Sequence, residues 1–312
     1  MVKVLLMSLA LLQGAAAAPP AIVLENDQLR VVIDRHNGAV TGVFDKVGRQ
    51  ELIREPRLSG NFMFSLPIPG KQKWETLEAN YIVGAEQKLS RFEREGQKLT
   101  LHWNGPLMSV LGKAHGVSVT MGIELRGKSV LFKLHVDNPT SLEIGETYFP
   151  ILGGLKGLGG SERELKQTAL VIPNGKASVS VPIFETFSNF SWLGAQGPEQ
   201  FYSYPGNWAA PWLDLYQPKL DRSAFLAVRD DAKRAKVLHL ELVPGSSGTT
   251  RWDGNWPRPE ELKGRPVGVR LAFAEFSNVP AGKPWEASPV ELQFHAGDWK
   301  EGQKVFQAGK GR

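Results

Sequence analysis

Between Phe184 and Tyr216 the chain concentrates Phe184, Phe187, Phe190, Trp192, Phe201, Tyr202, Tyr204, Trp208, Trp212 and Tyr216, with Glu185, Asn189, Asn207 and Asp214 among them. An aromatic face stacks on the apolar C–H face of a ring-shaped ligand, and planar amides and carboxylates hydrogen-bond its hydroxyl edge. The pattern therefore suits a polyhydroxylated ring, a sugar. Trp208 and Trp212 are expected to flank such a ligand, with Tyr204 beside them, Asp214 bonding a hydroxyl and Glu185 contributing a second carboxylate. Gly194, Gly197, Pro198, Pro205, Gly206 and Pro211 mark the stretch as loop. Local packing competes with this reading, because a long loop needs a small core of its own. For any one tryptophan, packing is the simpler role. For the group, at least one of Tyr204, Trp208 and Trp212 is expected to reach a groove.

A second aromatic cluster runs Arg251-Trp252-Asp253-Gly254-Asn255-Trp256-Pro257-Arg258. Trp252 and Trp256 either form a rim of the same groove or cover a sheet edge beside a turn at Asp253-Gly254. Catalytic residues are not assigned. Hydrolysis of a glycosidic bond needs two carboxylates at a set separation. Asp230 and Asp231 are adjacent, point apart on a strand end and read as turn residues. Of the six histidines, His36 belongs to a hairpin, while His135 and His239 lie inside alternating strand patterns and read as packed or surface side chains. There is no His-x-x-x-His, no cysteine pair and no calcium-loop spacing, so no metal or cofactor is expected. A calcium site built from scattered loop oxygens is compatible with the sequence but not indicated by it. Gly153-Gly154 and the glycines between 157 and 160 read as a flexible connection.

The elements that would carry these side chains are almost all strands. Leu29, Val31 and Ile33 alternate with Arg30, Val32 and Asp34 ahead of Asn37-Gly38, a hairpin signal because both residues tolerate positive φ. The alternation returns over 40–44, 99–103, 117–125, 130–136, 224–228, 237–243, 267–276 and 289–294. Helical period is scarce: Ser161 with Glu164 three residues on predicts a capped short helix to Lys166, and 258–263 predicts a helical turn. Most of the 33 glycines and 21 prolines fall between strands. Regularly spaced strands with such punctuation predict an all-β sandwich or barrel, and the length favours a large antiparallel two-sheet sandwich in one domain.

The first residues read as a secretory signal: Lys3, an apolar run from Val4 to Leu12, then small residues to Ala18. Cleavage after Ala17 leaves about 295 residues, enough for one large core, and places the protein in the periplasm or outside the cell. With no cysteine its stability must come from burial. The net charge of +5 is spread among acidic residues without a basic, aromatic-interleaved block, which argues against nucleic acid as a partner. No second apolar run reaches membrane-spanning length.

Four segments in order carry a resemblance. They are Leu24 to Asp34 with Gly38 to Asp45, Asn138-Pro139-Thr140 with Tyr148 to Leu155, Tyr204 to Tyr216, and Gly297-Asp298-Trp299 with Phe306. Together they resemble the N-terminal β-domain of a group of bacterial glycoside hydrolase-like proteins. The resemblance implies a galactose-mutarotase-like supersandwich over 18–294, and a linker or helix from 295 to 312 that leads toward a catalytic barrel absent from this sequence. It implies an exported carbohydrate-binding or accessory domain, with polysaccharide or oligosaccharide as ligand and a barrel domain as partner in intact relatives, and no turnover by this chain alone. Two alternatives make different predictions. A stand-alone mutarotase-like epimerase or polysaccharide lyase requires His, Glu or Tyr to converge in a groove. A purely structural domain requires Trp208, Trp212, Trp252 and Trp256 all to be buried.

Overall fold

The computed structural model describes residues 21–67, 80–174, 177–182, 199–230, 234–243, 263–277 and 279–309. The strand patterns fold into antiparallel sheets. Ala21–Glu25, Leu29–Asp34, Val40–Asp45 and Gln50–Glu51 form a four-stranded sheet. A ten-stranded sheet runs Ala177–Pro182, Ala169–Asn174, Trp212–Gln217, Arg222–Val228, Val290–Ala296, Ser129–Asp137, Ser118–Arg126, Lys98–Trp103 and Arg91–Glu95, with Trp285–Glu286 paired to Ser129–Asp137. A six-stranded sheet runs Glu199–Tyr204, Lys236–Val243, Gly268–Glu275, Thr147–Leu155, Met63–Leu66 and Asn80–Val83.

Period-two alternation sends every second side chain inward, and these rows share one core. Leu99, Leu101, Trp103, Met121, Ile123, Phe132, Leu226 and Leu292 come from the larger sheet. Phe64, Leu152, Leu238, Leu240, Leu271 and Phe273 come from the smaller. Phe62, just before the strand Met63–Leu66, meets Trp103 edge-on with ring centroids 5.0 Å apart. Gly38 makes the first hairpin fit over this core. Its φ is +73°, and a Cβ there would lie 2.4 Å from the Trp103 ring. One of the two outermost strands of the large sheet, Arg91–Glu95, is largely exposed and carries four charges in five residues.

Three expectations change. The stretch expected as loop up to Tyr216 contains two strands, Glu199–Tyr204 and Trp212–Gln217. The Gly153-Gly154 connection is not loose. Both glycines end the strand Thr147–Leu155, and a Cβ on Gly154 would lie 2.1 Å from the Glu55 carbonyl, whose chain segment bonds back through Arg54 and Glu55 N–H to Gly154 O. The segment from 295, expected to lead away, is built into the sandwich. His295 and Ala296 finish the strand Val290–Ala296, and a helix over Trp299–Ala308 packs back on the large sheet. Asp298 caps that helix by accepting from Lys300 N–H at 2.9 Å. Phe306 packs with Trp212, Phe225 and Ala227, and Trp299 stacks on Trp212 with centroids 6.5 Å apart. The capped short helix is as expected: Ser161 and Glu164 form a reciprocal capping box over Glu162–Lys166.

Candidate functional site

Of the aromatic residues singled out in the sequence, Trp208 and Trp212 are packing residues, whereas Phe201 is exposed. Trp208 is fully buried, lies parallel to Phe273 with centroids 5.8 Å apart, and donates its indole N–H to Trp212 O at 2.8 Å. Trp212 is 2 % exposed, beneath the last helix. Neither indole offers a face to a ligand, so the expectation that they flank a sugar gives way to a role in the core. Asp214 is also fully buried; its Oδ2 lies 2.9 Å from His295 Nε2, which replaces the expected bond to a ligand hydroxyl. Tyr204 is half-buried, edge-on to Trp208 and beneath the Lys236 ammonium. Glu185, Trp252 and Trp256 lie outside the described residues.

The side chains that do converge come from the six-stranded sheet, on the face turned away from the core. Strand register sets Phe201 opposite His239, His239 opposite Ala272, and Ala272 opposite Ile151. Glu199 stands opposite Glu241, and Glu241 opposite Arg270. Tyr148 approaches from the strand Thr147–Leu155. The alanine between His239 and Ile151 leaves a hollow of about 200 Å³, lined by Asn61, Met63, Tyr148, His239, Glu241 and Arg270 among others.

His239 is the centre of this group. Phe201 stacks on its ring with centroids 4.7 Å apart and planes at 2°, while Tyr148 meets it at 68° and 5.8 Å. Two aromatic contacts fix the imidazole plane. Its Nε2 lies 3.8 Å from Glu199 Oε1, an ion-pair distance too long for a direct hydrogen bond, and this buried nitrogen has no other partner. Interaction with His239 outweighs burial and holds the Glu199 carboxyl below the usual carboxylate range. Tyr148 donates its hydroxyl to Glu146 Oε2 at 3.0 Å. Burial, reinforced by the Glu146 charge, pushes that phenol far above its ordinary value, so it stays a donor. Burial likewise raises Tyr81, with Glu146 and Glu199 adding to it. Arg270 pairs with Glu241 at 2.7 Å at the wall of the hollow.

Chemically this is a hollow walled by an imidazole, a neutral phenol and a guanidinium paired with Glu241, with the Glu199 carboxylate beside the imidazole outside the lining. It can hold a small polyhydroxylated molecule and move a proton at its edge. Sequence reasoning passed over His239 because it sits in Lys236–Val243, where Leu238, Leu240 and Leu242 advertise the core. The available signal was the other face of that strand, which carries His239 and Glu241. Among the described residues no group of three or more His, Asp or Glu side chains converges as a metal ion would require.

No family model matches the sequence, and no curated protein is similar to it. Solved structures are similar in fold. A galactose mutarotase related enzyme from Lactobacillus acidophilus matches over 89% of this chain and 98% of its own, at 11% identity and a TM-score of 0.53. A protein from Escherichia coli K12 assigned as an aldose 1-epimerase matches over 89% and 99%, at 11% identity and a TM-score of 0.55. An α-galactosidase from Lactobacillus brevis matches over 93% of this chain but 41% of its own, at 8% identity and a TM-score of 0.50. The fold is thus the all-β, galactose-mutarotase-like supersandwich that the sequence predicts.

Proposed function

We propose that this chain is an exported saccharide-binding sandwich, and that the open face of its six-stranded sheet takes one sugar ring. The convergence of Tyr148, His239, Glu241 and Arg270 around one hollow, with Glu199 beside His239 outside its lining, carries this reading. At about 200 Å³ the hollow is smaller than the roughly 300–1,000 Å³ of typical drug-sized pockets, which favours a single ring over a chain of rings. Phe201, 41 % exposed beside His239, offers apolar surface, the Tyr148 oxygen can accept from a hydroxyl, and Arg270 supplies donors. Export rests on the N-terminal segment. Service to a separate hydrolytic barrel is favoured by the α-galactosidase, in which a matching sandwich makes up less than half of the chain.

The His239–Glu199 pair favours a second reading, interconversion of sugar anomers, in keeping with the mutarotase and epimerase names of the similar structures. Glu199, held ionised, accepts the proton of the anomeric hydroxyl. His239 gives a proton to the ring oxygen as the C1–O bond opens. Rotation about C1–C2 and the reverse transfers close the other anomer. Two measurements separate the readings. Calorimetric titration with galactose and glucose is expected to give weak saturable binding that His239→Ala reduces about tenfold, the scale of one or two lost contacts. Absence of saturable heat with any of a panel of neutral hexoses sinks the binding reading. Polarimetry of fresh α-anomer is expected to speed up with the wild-type chain and to lose roughly 10²-fold or more with Glu199→Gln. Binding without acceleration leaves the chain an accessory binder.

A further inference from the structure

A larger concavity, about 710 Å³, lies on the outer face of the ten-stranded sheet beside the last helix. Leu131, Pro289 and Val305 give it an apolar floor. Four cations border it, and two of them are already engaged. Arg126 pairs with Glu124 at 2.8 Å. Arg229 pairs with Glu291 at 2.7 Å and reaches the helix-end carbonyls of Phe306 and Val305. Lys128 and Lys133 also line the concavity, and Lys133 adds to Arg126 in holding the Glu124 carboxyl low. Glu291, the one carboxylate in the lining, is spent on Arg229, so four cations border the concavity against two carboxylates, Glu124 and Glu291.

Gln293 gives a second, independent pointer. It is 6 % exposed, lines the same concavity, and its side-chain nitrogen is buried without a hydrogen bond. A buried amide donor that the protein leaves unmatched is a place for a ligand oxygen. The spacing of the lysines narrows the ligand. Lys128 stands in the turn between Ser118–Arg126 and Ser129–Asp137, and Ser129, Leu131 and Lys133 share one face of the second strand. Ser129 to Lys133 spans roughly 14 Å at about 3.4 Å per residue, more than a single small anion bridges.

The geometry points to an acidic oligosaccharide in this groove, with carboxylates on separate rings meeting Lys128 and Lys133. A hydroxyl or ring oxygen accepts from Gln293, and C–H faces rest on Leu131 and Val305. The choice of a saccharide over another polyanion rests on the function proposed above; the charge and the unmatched amide do not. Titrate the full chain with galacturonic acid trimer at low salt, following backbone and side-chain amides by NMR. The expected result is movement of the amides of 128–133 and 289–293 and of the Gln293 side-chain NH₂, together with a loss of affinity of about tenfold in the Lys128→Gln/Lys133→Gln variant as two rim charges go. Maltotriose, a neutral trimer, is expected to leave these signals unmoved. His239→Ala is expected to bind the acid trimer as the parent does, so failure at the hexose hollow and failure here read out separately. Unmoved signals, unchanged affinity in the double lysine variant, or equally tight binding of inorganic phosphate or of a tri-glutamate peptide at the same amides would each overturn the assignment.

Discussion

Asp214 and His295 place two titratable groups beneath the last helix, joined at 2.9 Å. Burial pushes the Asp214 carboxyl up, against the pull of His295. Burial disfavours a charged His295, yet the hydrogen bond and charge of Asp214 prevail and raise it above the usual 6.5. A histidine whose folded value is raised contributes stability that is complete below its unfolded value and is lost as pH climbs through the folded one. The melting temperature is therefore expected to fall as pH is taken upward from about 6.5, and Asp214→Asn is expected to flatten that slope. Thermal melts of the two proteins across that range check it; parallel slopes would remove the pair from the account. In the sequence Asp214 looked like a ligand residue because it sits among tryptophans. That reading failed because side-chain type says nothing of which face of a strand a residue takes when both faces are covered.

At the scale of elements, the last helix depends on a residue with no side chain. A Cβ on Gly302 would lie 2.7 Å from Asp214 Oδ2 and 2.7 Å from the Phe225 ring. Two effects oppose each other in Gly302→Ala. Helix propensity favours alanine by about 1 kcal/mol, whereas overpacking against a fixed floor costs about 1–3 kcal/mol. Crowding is expected to win, because the obstacles are a buried ring and a buried carboxylate rather than the tip of a flexible chain. Urea titration should give a net loss of up to about 2 kcal/mol; a more stable variant would mean that the helix sits looser than described. The strands with strict alternation were legible beforehand, since alternation marks a half-buried strand directly, and the Ser161–Glu164 box fixes a helix start; strands without it, such as Thr147–Leu155 and Ala169–Asn174, were not. Glu199–Tyr204 and Trp212–Gln217 were hidden by the Pro and Gly that flank them, Pro198, Pro205, Gly206 and Pro211, which punctuate the ends of strands as well as loops.

For the whole molecule, the ten- and six-stranded sheets hold together through a core in which Trp103 and Trp208 are structural. Trp208→Ala removes a buried indole from Phe273 and leaves the Trp212 carbonyl without its donor. A loss of about 3–5 kcal/mol is expected, read from the denaturation midpoint; a change under about 1 kcal/mol would contradict the burial described. The same scale explains why the hollow was not legible. Tyr148, Glu199, His239 and Arg270 belong to four strands far apart in sequence, and only the order of those strands brings them together. Strand order also leaves the large sheet with the margin Arg91–Glu95, whose amides and carbonyls face outward beyond the last ladder. Arg91 and Glu93 pair there, and Arg94 reaches across to Val23 O. A second copy seeking to add its own strand would have to strip water from all four charges and displace that arginine bridge. This margin therefore carries its own guard against ribbon-like self-association, where an uncharged border of the same length would invite it.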